Sequence, residues 1–188
     1  MLISKFNTEN IEQEIETFEQ KRSFTFPAQY RSFLLKYNGG YTPKTSFRVG
    51  KNDSDIRGFY GLGAAEKYYN YAYHETFHDM DEHLADGLLP IGGNSFGDSI
   101  LIGVSPHKEG KIYFYYHDRP KRYIELAKNF MSFVSKCKSE KIGHIRTIEE
   151  RLAHMASIGR AEVINDGLIA LWQAEIDKFA NLHQEELV

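Results

Sequence analysis

Between Leu88 and Asp118 the chain reads LLPIGGNSFGDSILIGVSPHKEGKIYFYYHD, with two apolar runs, Ser99–Val104 and Lys111–Tyr116, separated by a turn holding Pro106 and Gly110. Short runs rich in Ile, Val, Tyr and Phe and bounded by Gly and Pro read as strands, and their short separation makes them a hairpin. The glycines ahead of them, Gly92, Gly93 and Gly97 with Asp98 behind, decide what this region is for. A dinucleotide fingerprint needs a helix after its glycines, and here Ser99-Ile100-Leu101-Ile102 follows as a strand. A Walker loop needs Gly-Lys-Ser or Gly-Lys-Thr, which is absent. The cluster therefore reads as a turn whose glycines supply positive φ or close backbone approach, with Asp98 either capping it or facing a partner.

Helical spacing covers much of the remainder. Ile11, Ile15 and Phe18 predict an amphipathic helix over residues 9–20. Pro27 opens a second, with Tyr30, Phe33, Leu34 and Tyr37 as its buried stripe and Asn38-Gly39-Gly40 as its stop. Strand candidates follow at Ser46–Val49 and Gly58–Leu62, and residues 64–85 read as a polar helix. Ile124, Ala127, Phe130, Met131 and Val134 predict another helix, ending in the basic run Lys136–Lys141 as a solvated last turn. Beyond Gly143 lie two more amphipathic segments, Thr147–Ser157 and Arg160–Leu182. The composition shift near Lys141 divides the chain into a mixed domain, residues 1–141, and a helical extension, residues 142–188, packed on or beside it.

Charge is nearly balanced, 23 Lys and Arg against 26 Asp and Glu, for a formal net charge of −3. A general nucleic-acid binder carries a basic excess, so direct nucleic-acid binding is not expected. The single Cys137 allows no internal disulfide framework; it fits a reducing compartment and reads as a buried spare thiol. The N-terminal stretch turns acidic within a few residues and builds no apolar signal core, and no apolar run reaches membrane-spanning length. These features predict a soluble, cytoplasmic protein without a membrane partner.

One catalytic pattern needs weighing. His74-Glu75-Thr76-Phe77-His78 matches H-E-x-x-H, in which two histidines on one helix face hold zinc and the glutamate activates water. The longer metzincin continuation fails, with Asp81 where glycine belongs and Leu84 where the third histidine belongs. Tyr69, Asn70, Tyr71 and Tyr73 give that helix an exposed or interfacial character rather than that of a buried zinc helix. A solvated helix that happens to carry histidines is the better reading. No G-x-S-x-G elbow occurs, and no local motif marks Cys137 as a nucleophile. Neither a catalytic residue, a metal ligand nor a cofactor is expected.

The ordered set of motifs carries a resemblance. A Pro-x-x-Tyr-x-x-Phe-Leu helix ending in Asn-Gly-Gly is present at Pro27, Tyr30, Phe33, Leu34, Asn38, Gly39 and Gly40. A Leu-Pro-Ile-Gly segment with a later Gly-Asp follows at Leu89, Pro90, Ile91, Gly92, Gly97 and Asp98. A final strand begins at Gly110, Ile112, Tyr113 and Phe114. From about residue 9 to about residue 140 the chain thus resembles the SUKH superfamily. That superfamily includes a yeast cell-wall-synthesis regulator and many bacterial immunity proteins encoded beside polymorphic toxins. The resemblance implies an α+β fold, a twisted, largely antiparallel sheet flanked by helices, here with a C-terminal helical extension, and no catalytic site.

The resemblance further implies a protein partner: the C-terminal domain of a cognate toxin, in many cases a nuclease with a basic groove. Glu75, Asp79, Asp81, Glu82 and Asp86 form an acidic stretch without Lys or Arg, flanked by Tyr71 and Tyr73, and these seven are the candidate partner-binding residues. Whether the protein is a monomer or a homodimer stays open. The alternatives are an interaction scaffold of the cell-wall-regulator type and a zinc hydrolase built on the HETFH motif.

Overall fold

The computed structural model describes residues 1–76, 79–119, 123–180 and 182–187, with Asp79 described by its backbone alone. The chain runs β1 (Leu2–Lys5), α1 (Ile11–Arg22), α2 (Ala28–Tyr37), β2 (Gly40–Val49), β3 (Asn52–Phe59), a 3-10 turn (Lys67–Tyr69), α3 (Tyr71–His74), α4 (Asp79–Ala85), β4 (Leu88–Gly93), β5 (Ser99–Gly103), β6 (Ile112–Tyr115), β7 (Tyr123–Ala127), α5 (Phe130–Val134), β8 (Cys137–Ser139), α6 (Ile148–Ser157), α7 (Asp166–Ala180) and β9 (Glu185–Glu186). The strands form an open nine-stranded sheet ordered β7-β6-β5-β4-β3-β2-β1-β9, with β8 also paired to β2. Every pair of named strands is antiparallel, so β1 to β7 make a meander and the fold is α+β, as the sequence predicts. Among the described residues no helix is long and apolar enough to cross a membrane.

The end of α2 sets how the sheet begins. Asn38, Gly39 and Gly40 have φ of 51°, 75° and 145°, which stop the helix and swing the chain into β2. The buried Asn38 side chain ties this corner down. Its Nδ2 donates to the carbonyls of Asn7 (2.6 Å) and Leu62 (2.9 Å), and its Oδ1 accepts from the Leu62 amide (2.8 Å).

The helical stripes fill one face of the sheet. Ile15 and Phe18 of α1, Tyr30, Phe33 and Leu34 of α2, and Phe130 and Phe133 of α5 pack with Phe59, Ile91, Ile100, Ile102 and Phe114 in one buried cluster. Phe33 sits among four rings, with centroids 5.3 Å from Tyr30, 5.5 Å from Tyr37, 5.4 Å from Phe59 and 4.8 Å from Phe130. The opposite face carries a smaller group, Leu88, Leu101 and Tyr113, as strict alternation along β5 requires.

Three expectations are corrected here. Residues 123–127 are a strand, not the start of a helix. Their apolar spacing is short enough to fit either period, and pairing with β6 decides it. The basic run is not a helix end either: Cys137 points inward between exposed Lys136 and Lys138 as β8 pairs with β2. Lysines flanking an inward residue are what a short edge strand carries. Third, residues 64–85 do not form one helix; the 3-10 turn, α3 and α4 are separate pieces.

Residues 141–183 form a second compact unit, while 184–188 belong with 1–140 in the first. Within the second unit α6 starts at a capping box, the Thr147 hydroxyl accepting from the Glu150 amide and the Glu150 carboxylate accepting from the Thr147 amide. Arg151 of α6 donates to Glu175 of α7 at 2.7 Å. None of this unit's described residues is fully buried; Leu152, Met155, Leu168, Trp172 and Ile176 are half-buried.

Candidate functional site

Not every residue singled out for partner binding reaches the surface. Tyr71 is a correction: it is fully buried, its ring 4.8 Å from that of Phe18 and its hydroxyl donating to the Pro90 carbonyl, so it packs the core. Burial also pushes its phenol well above the ordinary tyrosine range. Tyr73 is half-buried and meets Tyr68 edge-on at 5.3 Å. Glu75 accepts from Lys21 (2.6 Å) and Arg22 (2.9 Å), so its charge is answered from within. Asp81 is exposed and accepts from Arg22 at 2.7 Å, and Glu82 is exposed on the same short helix. The exposed Asp86 accepts from the Tyr123 hydroxyl at 2.8 Å. The side chain of Asp79 lies outside the described residues.

The zinc pattern meets a different geometry. His74 closes α3, its ring stacked 3.9 Å from that of Tyr60 and its Nε2 3.0 Å from the Tyr68 carbonyl. A carbonyl only accepts, so Nε2 carries the proton and donates there. Burial lowers the His74 pKa and so favours the neutral ring, and the hydrogen bond to the Tyr68 carbonyl offsets part of that shift. Glu75 is engaged with its two cations, and His78 lies outside the described residues. Cys137 is buried, which pushes its thiol up to about 12.

A groove that the sequence reading passes over lies where the sheet splits. β3 pairs with β4 only at Gly58 and Phe59, opposite Gly93 and Gly92. A side chain there has no room: a methyl built on Gly92 would sit 2.5 Å from the Gly58 carbonyl oxygen. Before Gly58 the β2–β3 hairpin leaves β4, and side chains of the 94–98 turn take over the ladder. Asn94 Nδ2 donates to the Ser54 hydroxyl (2.8 Å), and the Ser95 amide and hydroxyl donate to Asp55 (3.1 and 2.5 Å). The gap is a groove of about 1140 Å³. Arg48, Lys138, Phe96, His117 and Arg119 line it, with the rings of Phe47 and Phe114 almost wholly buried beneath. Phe96 is 74% exposed.

Asp98 anchors the second wall. Gly97 has φ of 90°, and the Asn94 Oδ1 accepts from the amides of Phe96 (2.9 Å) and Asp98 (2.8 Å), which closes the turn. The buried Asp98 carboxylate then accepts from Asn94 Nδ2 (2.9 Å), the His117 amide (3.1 Å) and His117 Nδ1 (2.9 Å). Burial by itself would raise its pKa; the hydrogen bonds from His117 and Asn94 outweigh it and hold the carboxyl below the usual range. Asp98, His117 and Asp118 bring potential ligand atoms within 4.8 Å of one another, one such group among the described residues. Here the His117 Nδ1–H bond to Asp98 already accounts for the close approach.

The sign of that shift gives a prediction. A depressed folded pKa stabilises the ionised state, so the contribution is complete above the ordinary carboxylate range and is lost as pH falls through the depressed value. Asp98→Asn should therefore be less stable than the parent near neutrality, with the gap closing in acid. Denaturant titrations at several pH values would check it, and a gap independent of pH would refute the role of the charge.

The aromatic in N-S-F-G-D was a signal available in the sequence, because a phenylalanine at the tip of a tight turn has little to pack against. The split sheet was not, since it depends on where β3 parts from β4. Residues 11–136, more than half of the chain, match the SMI1 / KNR4 family (SUKH-1). A search of the curated proteins found no match. With the helix ending in Asn38-Gly39-Gly40, the antiparallel meander and this match in agreement, the chain belongs to the SMI1 / KNR4 family (SUKH-1).

Proposed function

We propose that this protein is an immunity protein. It binds the C-terminal domain of a cognate bacterial polymorphic toxin, a nuclease, and blocks it in the cytoplasm of the producing cell, without catalysing a reaction itself. The observation that carries this reading is membership of the SUKH-1 family. The exposed carboxylates of Asp81, Glu82 and Asp86 support it, because an acidic surface complements the basic groove of a nuclease and speeds encounter.

The test is co-expression with the toxin domain encoded beside it, followed by binding kinetics. The parent protein should protect the cell. Asp79→Lys, Asp81→Lys and Glu82→Lys together should slow association by about tenfold at low salt. The difference should narrow as salt shortens the screening length towards about 8–10 Å. No protection by the parent would refute the function. Full protection with an unchanged on-rate in the triple variant would refute this interface.

A further inference from the structure

We propose that the 94–98 turn presents Phe96 as a preformed anchor for the toxin domain, its ring entering an apolar cleft of that protein. The inference rests on the immunity reading and adds to it the point at which the partner is held. A single exposed apolar side chain is ordinary on a protein surface. Phe96 differs in what lies beneath it. It is 74% exposed, more than any other large apolar residue among those described, yet its backbone is braced on both sides. The Phe96 amide donates to Asn94 Oδ1 at 2.9 Å, the Asp98 amide donates to the same oxygen at 2.8 Å, and the Asn94 amide donates to the Asp98 carbonyl at 3.2 Å. The Ser95 amide donates to Asp55 of β3 at 3.1 Å, which ties the tip to the neighbouring hairpin. Gly97, with φ of 90°, supplies the conformation that closes the turn. Asn, Ser, Gly and Asp suffice for such a turn, and none of these bonds needs the ring.

Rigid presentation matters because ordering a loop and its side chains opposes association, and a braced turn has already lost that freedom. Aromatic rings held this way dominate binding energy when they fill a cleft. Phe96 lines the groove together with Tyr116 and Arg119, whose guanidinium stacks 4.0 Å over the Tyr116 ring. Tyrosine and arginine are the other side chains that serve most often as such anchors. The charges around the ring say which class of partner fits. Four Lys and Arg stand against four Asp in the lining, so with His117 neutral their formal charges cancel. A nucleic acid or an anionic membrane calls for a basic excess, which this surface lacks. An aromatic centre ringed by side chains of both signs is the make-up of a protein–protein interface. The helix α4 and the turn stand at opposite ends of β4, about 20 Å of strand apart. The acidic end thus guides approach, and the ring holds the complex once it has formed.

The test follows dissociation of the toxin domain encoded beside the gene from the full-length protein. Phe96→Ala should raise the off-rate by about tenfold or more, with the on-rate within about twofold of the parent and Tm unchanged. The ratio of the two off-rates should hold as salt rises, since salt does not screen a neutral ring. Leu171→Ala removes another apolar side chain, 66% exposed, and should leave the off-rate as it is. An unchanged off-rate in Phe96→Ala, beside full protection by the parent, would overturn the anchor and leave the immunity reading standing. A parent that neither binds nor protects would overturn both. An equal effect of Leu171→Ala, or a Tm that falls with Phe96→Ala, would also sink the anchor, by making the loss nonspecific or structural. Sedimentation of the protein alone and capture by phosphatidylcholine vesicles test the other occupants. A dimer that Phe96→Ala dissolves would assign the ring to a second copy, and vesicle binding lost in the same variant would assign it to a bilayer; either overturns the proposal.

Discussion

Replacing Gly39 with alanine is expected to destabilise the first unit by at least about 3 kcal/mol, because two costs fall on one atom. The φ of 75° is a left-handed conformation that a Cβ disfavours. The new methyl would also lie 2.6 Å from the Phe59 carbonyl oxygen and 2.7 Å from the Tyr60 carbonyl group, backbone that cannot swing aside. Gly50→Ala is the matched control. Its φ of 63° is similar, yet nothing lies within 4 Å of the added atom, so only the conformational cost of about 1–2 kcal/mol remains. For a chain of this size each kcal/mol moves Tm by roughly 2–4 °C, so thermal melts separate the two variants. Equal losses would show that close approach at Gly39 is not what requires glycine.

Phe33→Ala should cost about 3–5 kcal/mol, the range for truncating a buried aromatic. Phe33 is 4% exposed and touches rings from α2 itself, from β3 and from α5, so its removal empties the junction of two helices and the sheet. Each aromatic pair also loses about 0.5–1.5 kcal/mol beyond the buried area. Phe33→Leu should lose less, since most of the volume stays. Leu171→Ala in the second unit, at a residue 66% exposed, should change little. A Phe33→Ala midpoint close to that of Leu171→Ala would show that the ring cluster is not the centre of the core.

Local pattern carried the parts of the fold that neighbouring residues decide. The stripes of α1 and α2, the stop at Asn38, and the hairpin of β5 and β6 are all set within a few residues, by periodicity or by positive φ. Residues 123–127 and 137–139 were misread because their strand character comes from partners β6 and β2, far away in sequence. The candidate site shows the same division. The acidic stretch was visible, but the pairing of Glu75 with Lys21 and Arg22 across α1 was not, and neither was the inward turn of Tyr71. Charges that look unspent in a sequence can be neutralised by residues more than fifty positions away. Arg48 and Lys138, ninety positions apart in sequence, likewise come to one face only through the pairing of β2 and β8.

The pairing of β9 with β1 has a consequence for the order of folding. Leu2 meets Glu186 and Ile3 meets Glu185, so this contact closes almost the whole chain into a loop. Loop-closure entropy grows only logarithmically with length, yet contacts of such high sequence separation are the slow ones to form. The α6–α7 unit, whose contacts are local, is expected to form before that long-range pairing. Until β9 arrives, the outer edge of β1 is unpaired, a template on which another chain's strand could add. Refolding at high protein concentration is therefore the condition under which this protein is most exposed to edge-to-edge association, and the two residues Glu185 and Glu186 are what ends that exposure.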